Sequence, residues 1–283
     1  RVLPEPYAAL LGGITIGADE GLESLDSVFK TAGISHIIVL SGYNITIVAG
    51  VVQAGLAVFG FWASIWGGVL SIVLFTLMAG AGASALRAAF MAILALLARA
   101  AGREYDAGRA LLFAVFIMVI LNPRILVFDI SFQLSVLATL GILFGPDRVA
   151  GYCAWIPERL GLRDAAKTTL AAQIFVVPFI LYRFGTVSLV SLPANSVILP
   201  LVPAVMFLGT TLGLLGYMSI FLASILAIPS YAILFYIVTV AHFFARIPYA
   251  SLTFGKGSLV ISVFLYVLII GILFPELWRR KQS

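Results

Sequence analysis

Four segments of the chain carry the side chains that could do chemistry. The densest is Phe29-Lys30-Thr31-Ala32-Gly33-Ile34-Ser35-His36, followed by Leu40-Ser41-Gly42-Tyr43-Asn44. His36 and Tyr43 are seven residues apart and Asn44 is eight from His36. On one continuous helix they would share a face. Ser, Thr, Asn and His in an apolar stretch must pair with other helices or face water, since an unsatisfied polar group in hydrocarbon costs several kcal/mol. The other reading is a packing face on which Ser41, Gly42 and Gly50 let helices approach closely.

The second segment, Gly80-Ala81-Gly82-Ala83-Ser84-Ala85-Leu86-Arg87, leads small residues into an arginine that opens a long apolar helix. A guanidinium cannot deprotonate and offers a fork of donors suited to phosphate, so Arg87 could hold a passing backbone. It could equally snorkel to an interface or pair with Asp129. The third segment is Phe128-Asp129-Ile130-Ser131-Phe132-Gln133-Leu134-Ser135. Asp129 and Gln133 share a helical face there, and an N-cap followed by a polar packing face is the favoured reading. The fourth is Leu192-Pro193-Ala194-Asn195 with Pro200 and Pro203, which predicts broken backbone at membrane depth or a plain proline kink.

Catalysis is not expected, and no catalytic residue, metal ligand or cofactor site is assigned. The sequence has no Gly-rich phosphate loop, no Cys/His ligand spacing and no paired-carboxylate motif, and its two histidines lie far apart. Ser41 and His36, five apart on one helix, would point about 140° apart. His242 stands among apolar and aromatic residues, where an interhelical bridge is the simpler role.

The elements that must position these side chains are set by composition. The 283 residues are 62% apolar and 10% charged, with a mean hydropathy of +1.14, against about a quarter charged in an ordinary soluble domain. The fold class is therefore all-α, a polytopic helical transmembrane bundle. Roughly 20 apolar residues cross a bilayer, and with broken or re-entrant helices about nine to eleven membrane segments are expected. Apolar stretches run over about 34–61, 62–79 and 83–101, then up to Asn122-Pro123, over 125–144, 168–184, 187–217 and 220–247, and finally 259–278. The last but two, interrupted by Pro193, Pro200 and Pro203, reads as a broken helix or a helical hairpin. Residues 1–30 read as an interfacial or re-entrant lead-in without a signal-peptide pattern. Residues 145–167 read as an amphipathic surface connector. One domain, 1–283, is expected. The lone Cys153 excludes an intramolecular disulfide. The net charge of +5 fits basic residues at span ends such as Arg279, Arg280 and Lys281, which place the C-terminus inside and the acidic lead-in outside.

Taken together, Phe29 to His36 with Leu40-Ser41-Gly42, Ser84-Ala85-Leu86-Arg87-Ala88, Gly102-Arg103, Asn122-Pro123, Phe132-Gln133-Leu134-Ser135, and Asn195 with Pro200 and Pro203 resemble the ComEC competence domain over nearly the whole chain. The resemblance implies a multi-pass bacterial cytoplasmic-membrane channel that passes single-stranded DNA to the cytosol in natural transformation. Its implied partners are single-stranded DNA, membrane lipids, DNA-uptake proteins and separate OB-like or nuclease domains. Neither ancillary domain is legible in this sequence, and no His-x-His-x-Asp-His run appears. Tyr43-Asn44 stands where many members have Leu-His. On this reading Arg87 and Arg183 supply positive potential, and Tyr43 or Phe132 stacks transient bases. The alternatives are a secondary transporter for a small anionic solute, using Arg87 and the broken helix, or an intramembrane enzyme with His36 as base.

Overall fold

The computed structural model describes residues 2–18, 20–37, 42–158, 162–254 and 259–273. Ser41, Leu40 and the basic run Arg279, Arg280, Lys281 lie outside the described residues. In chain order the helices are α1 (Tyr7–Ile16), α2 (Glu23–Ala32), α3 (Gly42–Leu56), α4 (Phe61–Met78), α5 (Ala83–Ala100), α6 (Ala107–Leu121), α7 (Ile125–Phe128), α8 (Ile130–Phe144), α9 (Pro146–Val149) and α10 (Leu162–Phe184). Then follow α11 (Ser191–Ile198), α12 (Val202–Met218), α13 (Ile220–Ala245) and α14 (Leu259–Leu273). Two short strands, β1 (Thr186–Ser188) and β2 (Ser251–Thr253), pair antiparallel with Val187 opposite Leu252.

Five stretches are long and apolar enough to cross a membrane: Ser35–Phe59, which holds α3 and takes in residues outside the described ones, Phe61–Met78, Ala83–Ala100, Ser191–Met218 and Ile220–Ala245. A sixth span arises if Ile130–Phe144 and Pro146–Cys153, bent by 64°, count as one. Three further apolar helices, Tyr7–Ile16, Ala107–Leu121 and Leu259–Ile272, are shorter. The all-α polytopic class thus holds with five to six full-length spans.

Local sequence sets the helix ends. Asn122 is extended (φ −150°, ψ 92°) and stops α6, because the residue before a proline is pushed out of the helical region. Asp106 opens α6 and Asp129 opens α8, each accepting a backbone N–H three residues on. Pro200 and Pro203 turn one stretch of 28 residues through a 3-10 turn, Leu199–Leu201, between α11 and α12. The apolar run of 187–217 is thus one interrupted helix and not a hairpin, and its first residues belong to β1.

Prolines inside helices free carbonyls that the bundle must satisfy. Pro178 of α10 has no N–H for the Ile174 carbonyl, and one residue further on the Tyr266 hydroxyl of α14 donates to the Phe175 carbonyl at 3.0 Å, tying α14 to α10. Pro229 of α13 likewise leaves the Ile225 carbonyl without its N–H, and the next residue, Ser230, bonds back through its hydroxyl to the Leu226 carbonyl at 2.8 Å.

The core lies where α1, α2, α3, α4, α12 and α13 meet, around the fully buried Leu10, Phe29, Ile45, Ile72, Val205 and Leu234. Large apolar side chains cover the outside, among them Leu112, Phe116 and Ile120 along α6, a lipid-facing stripe at helical spacing. Helices α8 and α10 approach at backbone distance. A Cβ at Gly141 would sit 2.7 Å from the Ala171 carbonyl oxygen and 2.9 Å from the Ala172 Cα. Gly141→Ala is therefore expected to destabilise the bundle by about 1–3 kcal/mol, because backbone cannot rotate aside. Gly50→Ala, with nothing within 4 Å, is expected to be neutral. Unfolding midpoints in a denaturing-detergent titration check both.

Candidate functional site

Arg87 stands in the second turn of α5, one turn beyond Ser84. Its Nε donates to the Ser135 hydroxyl of α8 at 2.7 Å, and Ser84 and Ser135 share a hydrogen bond at 3.2 Å. Nη1 points to the Met91 sulfur at 3.3 Å. Nη2 faces Gly42 at the start of α3, where a Cβ would lie 3.3 Å from it and 2.8 Å from the Ala88 Cβ. The absence of a side chain at Gly42 is what lets α3 close over the guanidinium. Three segments far apart in sequence therefore meet on one side chain.

Among the described residues no ion pair joins Arg87 to any carboxylate, Asp129 included. Lys30, Arg109, Arg163 and Lys167 have one, and Arg99, Arg103, Arg124, Arg183 and Arg246 share with Arg87 the lack of one among the described residues but are exposed, where Arg87 is half-buried. Only neutral groups and a thioether hold Arg87, so its charge stays uncompensated in a half-buried setting. A guanidinium so placed is costly unless it serves an anion, and it keeps donors in a planar fork for one. Tyr105, in the connector between α5 and α6, lies within reach of this charge. Burial pushes its hydroxyl up and the Arg87 guanidinium opposes that shift.

A second polar junction forms where α2 ends. Gly33 closes α2 in the left-handed region (φ 72°), and the last carbonyls of the helix are left without intrahelical partners. The Ser188 hydroxyl of β1 donates to the Thr31 carbonyl at 2.7 Å, and Asn195 Nδ2 of α11 reaches the Gly33 carbonyl at 3.5 Å. Asn195 Oδ1 and the Ser35 hydroxyl are buried without a hydrogen-bond partner. His36, in the 3-10 turn Ser35–Ile37, is exposed.

The sequence expectations divide accordingly. His36, Tyr43 and Asn44 do not share one helical face, because His36 sits in a turn ahead of α3. Tyr43 is 48% exposed and Asn44 2%, as neighbours about 100° apart on a helix must differ. Asn44 Nδ2 donates to the Ile14 carbonyl at 3.2 Å. Asp129 accepts the Phe132 N–H at 2.8 Å, so the N-cap is what the fold makes of it. Gln133 Nε2 turns back to the Leu126 carbonyl at 2.5 Å, and its Oε1 is buried without a partner. Asp129 also borders a shallow depression of about 400 Å³ with Asn122, Arg124 and Phe128. Arg183 is exposed at the end of α10. Among the described residues no hydrogen bond joins the Arg87 group to the Asn195 group.

Sequence reasoning missed a third polar contact. Gln53 of α3 accepts from Arg99 Nη1 at 3.5 Å, and its carbonyl takes the Ser64 hydroxyl at 2.9 Å. A lone amide in an apolar helix is the signal that could have found it. Among the described residues no three His, Cys, Asp or Glu side chains gather as a metal site would require.

Apolar spans closed over polar interhelical contacts define a polytopic helical membrane protein. The profile of the family described as Competence protein matches residues 14–279. The chain belongs to that family, in line with the ComEC-type resemblance of its motifs. It is 23% identical over 225 residues to ComE operon protein 3 of Bacillus subtilis (strain 168), an alignment covering 76% of this chain and 27% of that protein. The chain thus spans about a quarter of the length of this curated relative. No solved structure matches it.

Asp129→Ala is expected to cost about 1 kcal/mol and Asp129→Asn a few tenths, since asparagine caps almost as well. Unfolding midpoints of the two variants check this. A carboxylate needed for its charge would instead lose function in the asparagine variant at unchanged stability.

Proposed function

We propose that this chain is the membrane-embedded conducting part of a DNA-uptake system, passing single-stranded DNA across the bacterial cytoplasmic membrane in natural transformation. The observation that carries the reading is Arg87, a guanidinium inside the bundle held by Ser135 without a carboxylate partner among the described residues. Family membership and the relative's name, a competence-operon protein, support the same direction.

Each phosphate of a strand carries a charge that hydrocarbon cannot solvate, so the path needs water and a few positive groups. Too many fixed cations would trap the strand, because conduction needs weak, distributed contacts. One uncompensated arginine backed by two serine hydroxyls fits that demand, and the exposed Tyr43 beside Gly42 offers a ring for transient stacking. On this reading the chain conducts and does not catalyse. It forms one membrane domain of nine to eleven segments, counting the shorter helices and α10 with the long spans. Its partners are single-stranded DNA, lipid, and separate capture and nuclease domains.

Liposomes carrying the protein are expected to pass a labelled single-stranded oligonucleotide. Removing Arg87 takes away a charge-assisted contact worth about 1.5–3 kcal/mol, so Arg87→Ala is expected to lower flux by roughly tenfold or more. Arg87→Lys keeps the charge and loses the fork, and an intermediate flux is expected. Unchanged flux at equal protein levels would overturn the role of Arg87. Saturable uptake of a small anion without oligonucleotide passage would replace the reading by a solute transporter.

A further inference from the structure

Residues 146–156 follow α8 and change direction at its end. The axis of Pro146–Cys153 departs from that of α8 by 64°, so a chain that has run across the bilayer bends toward its plane. The segment has two faces. Val149 and Cys153, four residues apart, are buried, and α9 packs on α8 and α10. On the outer face Tyr152 is 68% exposed and Trp155 is 82% exposed.

Two such rings on the outside of a membrane span would meet acyl chains. These lie beyond the end of one, among polar neighbours, and the fold holds them in place. Arg163 reaches back from the start of α10 to the Ile156 carbonyl at 2.7 Å, to the Ala154 carbonyl at 3.0 Å, and to the Glu158 carboxylate. Trp155 donates its indole N–H to the Tyr152 carbonyl at 2.9 Å, which locks the indole to the turn and leaves its rings pointing outward. Arg148 caps the end of α8 through the Phe144 carbonyl at 2.6 Å. Arg87 near the start of α5 bonds Ser135 near the start of α8, so the two helices begin at one end of the bundle and this segment lies at the other, with Arg99, Arg103 and Arg109.

We propose that residues 146–156 form an interfacial anchor whose partner is the phospholipid surface, with Tyr152 and Trp155 seated at the headgroup level of the leaflet on the arginine-rich side. Aromatic rings are enriched at that depth because they match a layer apolar on one side and wet on the other. An amphipathic element lying in the interface plane buries its apolar face only 5–10 Å deep, roughly the reach of one indole. The contact fixes the height of α8, and with it Ser135 and Arg87, relative to the bilayer. It does not depend on what passes through the bundle.

The test uses the full chain with Trp62, Trp66 and Trp278 replaced by Phe, so that Trp155 alone emits, in vesicles of mixed phosphatidylcholine and phosphatidylglycerol. Circular dichroism and the unfolding midpoint confirm that the variant folds as the parent does. Trp155 is expected to lose most of its emission to lipids brominated near the headgroup, and little to lipids brominated near the chain end or to aqueous iodide. Strongest quenching by the deep lipid would place the segment in hydrocarbon and overturn the proposal. Quenching by iodide alone, or by none of the three, would put Trp155 in water or under protein and overturn it equally.

Discussion

Backbone carbonyls at helix ends have no water to bond inside an apolar bundle, and the architecture is arranged around that demand. Helices α1 and α2 are short and end against their neighbours, so each leaves orphan carbonyls. Glycines in the left-handed region, Gly17 and Gly33, close part of each end through their own N–H groups. Side chains from distant elements supply the remainder: Asn44 bonds Ile14, Ser188 bonds Thr31, and Asn195 reaches Gly33. Each such bond ties an early helix to a later one, so satisfying the backbone also fixes the tertiary arrangement.

Charge is handled differently. The ion pairs of Asp26 with Lys30, Asp106 with Arg109, and Asp164 with Lys167 are local pairs with well-exposed carboxylates, and contribute little to holding the bundle. Arg87 stands apart because, half-buried, its partners are the Ser135 hydroxyl and the Met91 sulfur. Packing decides that outcome. The glycine at 42 admits the guanidinium, Ser135 takes its Nε, and Asp129, one and a half turns ahead of Ser135, is committed to the N–H of Phe132. On the proposed reading, a charge left unneutralised in this way is available to a mobile anion.

Much of this was legible in the sequence. Apolar runs placed α4 and α5 within a residue of their observed limits, Asn122-Pro123 marked the end of α6, and Asp129 read as a cap because a carboxylate ahead of an apolar helix has a local job. The strands β1 and β2 were not legible. Thr-Val-Ser and Ser-Leu-Thr are too short to show a period, and only their pairing across the chain makes them a ribbon. Gln53 was passed over because one amide barely disturbs an apolar run.

Composition and periodicity by themselves determined that the chain is a helical membrane protein, because burial in hydrocarbon leaves a mark on every span. They could not decide which embedded groups meet. His36, Tyr43 and Asn44 lie close in the chain and yet diverge, one in an exposed turn, one outward, one buried on Ile14. Gly42, Arg87 and Ser135 are far apart in the chain and yet converge. Only the tertiary structure settles such meetings, since they depend on where helices cross and which side of each is turned inward, and neither is a property of any one segment.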